Sequence, residues 1–361
     1  MTKQLGIGII GCGTISAAYL KAAGNFPVLA LRGLADVNSA AAEARSAEFD
    51  VPAMTVEAML ADPSIDIVIN LTIPLVHVDV GLRVLAAGKH VYSEKPLGVT
   101  TEEAKRLLDA AENAGRRLGC APDTFLGGGQ QTCRALLDEG AIGRPVGGTA
   151  FFLCPGHERW HPAPAFYYQS GGGPMLDMGP YYITSLVNLL GPVARVAGVT
   201  TMMRDSRVIT SEPLAGQSIA VEVPTHVAGT LHFVSGAVIS IAMSFDVPKH
   251  KHLPLELYGT EGSMIIPDPN HFGGEIELAS TGGDWTAVET RHAYGDGNYR
   301  ILGVADMAQA ILEDRPHRAS GAMAYHVLEV MEAFERSSAS GQFVTIASTV
   351  ERPAPMPTHG I

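Results

Sequence analysis

The sequence predicts an α/β protein in two parts. An N-terminal doubly wound parallel sheet is followed by an α/β domain with a large, mostly antiparallel open sheet. Three observations carry this prediction. Strand-like and helix-like segments alternate over residues 1–122, which implies parallel strands joined by crossover helices. Beyond that point strand-like runs follow one another with few helices between them. A glycine-rich loop joins the first strand to the first helix. At 361 residues the length also favours two domains, here 1–122 and 123–361.

In the first part, apolar runs predict strands over 6–10, 29–35, 67–72, 90–92 and 117–120. Ala- and Leu-rich segments predict helices over 15–23, 39–49, 56–61, 76–87 and 101–114, each ending near Gly, Pro or Asp. Thr100-Thr101-Glu102-Glu103 reads as a helix start with acidic residues in its first turn. In the second part a helix over 129–139 precedes strands over 146–153, 195–203, 218–223, 225–233, 237–245, 253–258, 264–266 and 275–278. Two late helices follow over 301–313 and 322–338. The tail from Arg352 holds several prolines and reads as an extended arm or frayed end.

Composition narrows the function. The chain has 46% apolar residues, enough for real cores. Its 37 acidic and 25 Lys/Arg residues give a net charge of −12, which argues for a soluble protein and against a nucleic-acid surface. No run of 18 apolar residues predicts a membrane span. A strand begins at Leu5 with no charged segment and cleavage site before it, so a cytoplasmic location is expected. Cys12, Cys120, Cys133 and Cys154 form no CxxC pair, and neither a zinc site nor a disulfide framework is expected.

Gly8-Ile9-Ile10-Gly11-Cys12-Gly13-Thr14-Ile15-Ser16 follows a strand and opens a helix, the context a dinucleotide fingerprint demands. Gly11 permits the tight turn and Gly13 lets backbone approach the pyrophosphate. Cys12 fits as a small residue inside the turn. The amides around Thr14 and Ile15, at the positive end of the helix dipole, would hold phosphate charge. Ser16 replaces the usual third glycine and is still small. Asp36 ends the second strand, close to the offset of about 20 residues at which a carboxylate accepts ribose hydroxyls. It would repel a 2′-phosphate, so NAD is expected over NADP, with Arg32 and Arg45 keeping NADP in view.

Lys95 lies just past the strand over 90–92. In open α/β sheets ligands bind outside the carboxyl ends of the strands, which puts Lys95 beside a nicotinamide. Its pKa is expected to fall through desolvation and nearby positive charge.

The chain resembles the glucose-fructose oxidoreductase / inositol dehydrogenase / rhizopine catabolism (Gfo/Idh/MocA) family. The residues that carry the resemblance are Gly11-Cys12-Gly13, Thr72-Ile73-Pro74 with His77, Ala87-Gly88-Lys89-His90-Val91, Glu94-Lys95-Pro96 and the run from Gly171 to Gly179. The resemblance implies a Rossmann domain followed by an open-sheet domain. It also implies cofactor contacts from Thr72, Pro74, His77, Glu94 and Lys95, with Lys95 as the catalytic lysine. The Lys95–Pro96 bond is often cis in this family.

Asp177 and Tyr181 stand four residues apart, one helical face. Pro180 is well placed as a first helical residue, which would leave Asp177 in the turn before. Many relatives carry His where this chain has Tyr181, and some carry Tyr. Whether Lys95 or Tyr181 moves the proton stays open. Between the motifs, His157-Glu158-Arg159-Trp160-His161 and the aromatics from Phe166 suit a carbohydrate, with Trp160 and His161 as candidate contacts. The spacing of His157, Glu158 and His161 lacks a further ligand cluster, so no metal is expected. Asp123-Thr124-Phe125, at the domain junction, should border the nicotinamide, with Thr124 as the cofactor contact, and Arg300 should return to the cleft to orient substrate.

The leading reading is an NAD(P)-dependent oxidoreductase acting on a secondary alcohol or ketone of a sugar, glycoside or cyclitol. The alternatives are an NAD-dependent glycosidase or lyase using transient oxidation, and a non-catalytic sugar or dinucleotide sensor. Too few helices are predicted to cover both faces of the second sheet, so a homodimer or homotetramer through that sheet is expected.

Overall fold

A computed structural model describes residues 3–361. Strands β1 (Leu5–Ile10), β2 (Leu29–Ala35), β3 (Ile67–Asn70), β4 (His90–Ser93) and β5 (Leu118–Cys120) form a parallel sheet in the order β2-β1-β3-β4-β5. Helices α1 (Ser16–Ala23), α2 (Ser39–Phe49), α3 (Val56–Ala61), α4 (His77–Ala86) and α5 (Thr101–Asn113) connect and follow them. Every residue of β1 and β3 is buried, as expected of parallel strands covered on both faces. The strand order reverses between β1 and β3, and crevices at such a switch point receive ligands. The loops after β1, β3 and β4 all open there. Thr100 caps α5 by accepting the N–H of Glu103.

After α6 (Gly128–Asp138) comes β6 (Pro145–Leu153), then α7 (Pro174–Leu190) and β7 (Val193–Thr201). The hairpin β8 (Ser206–Val208) and β9 (Ser218–Ala220) stands apart as a two-stranded ribbon. Strands β10 (His226–Phe233), β11 (Val238–Ser244), β12 (Leu255–Gly259), β13 (Gly262–Ile266), β14 (Ile276–Ser280) and β15 (Thr286–Val288) lead to α8 (Leu302–Glu313) and α9 (Gly321–Ser340). A short β16 (Val344–Thr345) completes a nine-stranded sheet, β15-β14-β13-β12-β6-β11-β10-β7-β16. Only the β6–β11 pair in it is parallel. Leu231, Ile239, Ile241, Leu255 and Leu257 point to the covered face. The opposite face presents Val199, Val238 and Tyr258, which are exposed.

Three sequence expectations change. The helix carrying Asp177 begins at Pro174, and Pro180 lies inside it. Pro174 takes the favourable first position, and packing holds the rest of α7, which is buried throughout from Met178 to Leu190. Residues 218–223 do not join the large sheet. Ile219 and Val221 instead pack with Tyr168, Ile209 and Phe245 in a satellite core. The tail is an anchored arm, not a frayed end. Arg318 donates to the carbonyls of Ala354 and Pro355, and Gln131 accepts the N–H of Met356, whose side chain is buried.

Candidate active site

The glycine loop is shaped by close backbone contact. Gly11 has φ +105°, and a Cβ there would lie 2.6 Å from the Leu71 carbonyl. Gly13 faces open space. Among the described residues, the N–H groups of Gly13, Thr14 and Ile15 have no hydrogen-bond acceptor, and no side chain caps α1. Unpaired amides at a helix start, with room in front of them, fit a pyrophosphate. Ser16 donates to the Gly13 carbonyl at 2.6 Å and accepts from Arg45 Nε at 3.1 Å. The Cys12 thiol is pushed up to about 11, first by burial and then by the Asp36 charge, so it stays protonated.

Asp36 braces this loop. One oxygen accepts the Cys12 N–H at 2.7 Å and the other accepts the Asn38 N–H at 2.8 Å. The carboxylate is partly exposed beside a fully exposed Val37 and keeps lone pairs for ribose hydroxyls. This donor and acceptor set fits NAD.

The loops after β3 and β4 are fastened together. His77 is fully buried, with Nδ1 2.7 Å from the Pro96 carbonyl and Nε2 3.0 Å from the Thr72 carbonyl. The expected cofactor contact at His77 is therefore corrected. Its ring is sealed in the core and positions Thr72 and the Lys95 loop. Thr72 Oγ1 donates to Asn70 at 2.6 Å, and Pro74 opens the turn that exposes Ile73 and Leu75. Thr124 is also buried, at 1% exposure, and its side chain does not border the cleft as expected.

Lys95 lies after β4, and the Lys95–Pro96 bond is cis. Its Nζ donates to the Asp177 carboxylate at 2.8 Å and to the Asp177 backbone carbonyl at 2.7 Å. Pro180, three residues on, lacks the N–H that would serve the neighbouring Leu176 carbonyl. Both side chains are largely buried, at 16% and 14% exposure. Burial alone would lower the Lys95 pKa. The Asp177 charge, with Tyr181 and Glu94, outweighs it and raises the pKa. The expected fall is corrected, because the strongest charge the fold sets against Lys95 is the Asp177 carboxylate. For Asp177, burial works against ionisation, but Lys95 and His157 hold its pKa at about 2. Glu94 accepts from Tyr19 Oη at 2.8 Å and from the Lys95 backbone N–H at 3.0 Å, so it steers the lysine through its main chain.

His157, which the sequence places in the carbohydrate-suited run, proves to be a partner of Asp177. Its Nε2 lies 3.0 Å from the second Asp177 oxygen. Trp160 Nε1 donates to His157 Nδ1 at 3.1 Å, which places the histidine hydrogen on Nε2, facing Asp177. His157, Glu158 and His161 diverge. Glu158 pairs with Arg207 at 2.8 Å, and His161 Nδ1 accepts from the Ala163 N–H at 3.0 Å. Trp160 itself is 61% exposed.

Asp177 and Tyr181 share a face of α7. The Tyr181 hydroxyl does not pair with Asp177 but accepts from Arg300 Nη1 at 3.1 Å. Arg300 Nη2 donates to Asn270 at 3.1 Å. Lys95 Nζ sits 5.2 Å from the centre of the Tyr181 ring. Thus Lys95, Asp177, Tyr181 and Arg300 converge, with Trp160 joined through His157. His161 stacks edge-on against Trp160.

Residues 5–121 match the family profile described as an oxidoreductase family with an NAD-binding Rossmann fold. Residues 130–265 match the GFO/IDH/MocA C-terminal domain. The chain belongs to the GFO/IDH/MocA oxidoreductase family. Within it, the chain is 25% identical to levoglucosan dehydrogenase of Pseudarthrobacter phenanthrenivorans, over 95% of this chain and 98% of that protein. It is 29% identical to 1,5-anhydro-D-fructose reductase of Ensifer adhaerens, over 72% of this chain and 74% of that one. A solved levoglucosan dehydrogenase in complex with NADH and L-sorbose has the same fold, with TM-score 0.84 at 22% identity over 96% of this chain and 100% of that one. As a GFO/IDH/MocA member the protein is an NAD-binding oxidoreductase. No helix among the described residues is long and apolar enough to cross a membrane.

Proposed function

We propose that this oxidoreductase interconverts a secondary alcohol and a ketone on a sugar, glycoside or cyclitol, with NAD preferred to NADP. The observation that carries the reading is the Lys95 ammonium, paired with Asp177 and facing Tyr181, at the mouth of the dinucleotide cradle. Relatives named for levoglucosan, 1,5-anhydro-D-fructose, D-xylose and scyllo-inositol support the substrate class. Gly11, Cys12, Gly13, Thr14 and Ile15 would hold the pyrophosphate, Asp36 the adenosine ribose, and Thr72, Pro74 and Glu94 the walls toward the nicotinamide. The cofactor, when bound, supplies hydride acceptance or donation at its nicotinamide ring.

The chain's own residues manage the proton and the orientation. Lys95, held as an ammonium, donates a hydrogen bond to the reacting oxygen and can deliver a proton to it in reduction. Oxidation needs Lys95 to lose its proton first. Asp177 fixes the ammonium, and the His157–Trp160 chain fixes Asp177. Because Arg300 occupies a lone pair of the Tyr181 hydroxyl, that hydroxyl keeps its own hydrogen to give. The exposed Trp160 ring, with His161 beside it, suits the C–H face of a sugar ring.

We place the domain division at 122, where the chain leaves the first sheet. The open face of the second sheet carries Val199, Val238 and Tyr258 beside small residues such as Ala228 and Ala242, which suits a homodimer or homotetramer. A monomer in sedimentation would exclude that assembly.

The deciding experiment is an NAD-reduction and NADH-oxidation screen over free sugars, anhydrosugars, glycosides, cyclitols and their keto forms. Turnover with net NADH release or uptake is expected for at least one. Silence across the whole panel would overturn the reading. On the active compound, Tyr181→Phe should lower kcat by roughly 10²-fold or more, since it removes only the hydroxyl. Undiminished activity would reject Tyr181 as a proton donor. Asp36→Ala should weaken NAD and shift the kcat/KM ratio toward NADP by roughly tenfold, about 1.4 kcal/mol. An equal loss for both cofactors would assign Asp36 to loop bracing alone, through Cys12.

A further inference from the structure

The turn before α8 holds a conformation that a branched residue avoids. Ile301 has φ 111° and ψ −7° and is fully buried. Strain of this kind persists only where the surroundings impose it, and it clusters at functional sites.

Asp123 imposes it. This residue follows the last strand of the first sheet, and its Oδ2 accepts the N–H groups of both Ile301 and Gly303 at 3.0 Å. The side chain is fully buried, and Oδ1 has no partner among the described residues. Gly303 makes the approach possible. A Cβ there would lie 2.2 Å from Tyr92 Oη and 3.0 Å from Asp123 Cβ. A carboxylate at a helix start is favourable in itself. An ordinary cap, however, needs neither complete burial nor a strained isoleucine beneath it. The residue immediately before the strained one is Arg300, which donates to Tyr181 and to Asn270. A relaxed Ile301 would redirect the chain at that point and carry the guanidinium with it.

We propose that Asp123 is a positioning residue. By clamping Ile301 and Gly303 it aims Arg300 at the Tyr181 hydroxyl, tying the first sheet to the reacting centre in the second. The proposal rests on the reading of Tyr181 and Arg300 as part of that centre.

The test is a double-mutant cycle of Asp123→Ala and Arg300→Ala, with kcat, sugar KM and NAD KM measured for each variant. Each single change should lower kcat/KM for the sugar by roughly 10²-fold, the scale of a misplaced group, and leave the NAD KM within a few-fold. The double variant should be no worse than Arg300→Ala, because Asp123 acts through Arg300. Asp123→Asn keeps an acceptor for both N–H groups and should retain most activity. Multiplied losses in the double variant would overturn the proposal. If Asp123→Ala does not fold, Asp123→Ser takes its place in the same cycle and must show the same non-additivity. A crystal structure of the folded variant supplies a readout independent of turnover. Arg300 should have left the Tyr181 hydroxyl, and an unmoved Arg300 would sink the idea. Full activity in both Tyr181→Phe and Arg300→Ala would instead refute the reading of the centre itself, so the two failures are distinguishable.

Discussion

Lys95→Ala lowers kcat by roughly 10²–10⁴-fold while NAD affinity, measured by calorimetry, stays within a few-fold. That is the expected result for a group that exchanges a proton with substrate and lies beside the phosphate cradle, not in it. The wild-type pH profile should carry the same signature. Lys95 has a raised pKa and remains charged through neutral pH. Ketone reduction, which uses the proton, should therefore hold up at neutral pH. Alcohol oxidation, which needs the proton removed, should climb as pH rises into the alkaline range. Unchanged turnover in Lys95→Ala, or an oxidation rate flat across alkaline pH, would count against the assignment.

Asp177→Asn is expected to damage both activity and stability. It leaves a buried ammonium with only the backbone carbonyl at position 177 and the dipole of a neutral amide. Breaking a buried pair of this kind costs roughly 3–5 kcal/mol. The kcat should fall by roughly 10²-fold or more, because the ammonium is no longer fixed. The sign of the acid limb follows from the depressed pKa of about 2. The stabilisation is complete above the unfolded carboxyl value of about 3.9 and is lost as pH falls toward 2. Wild type should thus lose about 2 kcal/mol over that window through this group, and Asp177→Asn should lose less. Thermal melts from pH 5 to pH 2 decide it. Parallel curves for the two proteins would remove Asp177 from the acid limb.

The cofactor half of the site was legible because its chemistry is local. Gly11, Gly13 and Asp36 belong to one strand-turn-helix unit, and the position of Lys95 follows from the rule for strand ends. Asp177 and Tyr181 were legible as a pair because their spacing is helical. His157 was not, since its partner Asp177 lies on another element and the short turn over His157–Arg159 has no periodicity. Tyr19 was missed for the same reason, and Asp123, legible at the domain junction, was not legible as the partner of Ile301 and Gly303. Each meets its partner only after distant segments pack. The charge state of Lys95 was misjudged because a pKa depends on which charges the fold brings near. His77 and Thr124 sit at the expected places along the chain, but their side chains turn inward. Pro180 misled the helix boundary because packing overrode a local rule.

That proline sets two selective pressures against each other. Regular hydrogen bonding would be restored in α7 by almost any other residue at 180, and a proline within a helix costs about 3 kcal/mol. Yet the carbonyl that receives the lysine ammonium lies in the turn just before it. An N–H at 180 would serve the Leu176 carbonyl, four residues back and next to the one that holds Lys95. The proline ring instead pushes that Leu176 carbonyl aside. A residue chosen at 180 for heat tolerance would therefore reshape the same turn that presents the Asp177 oxygen to the lysine.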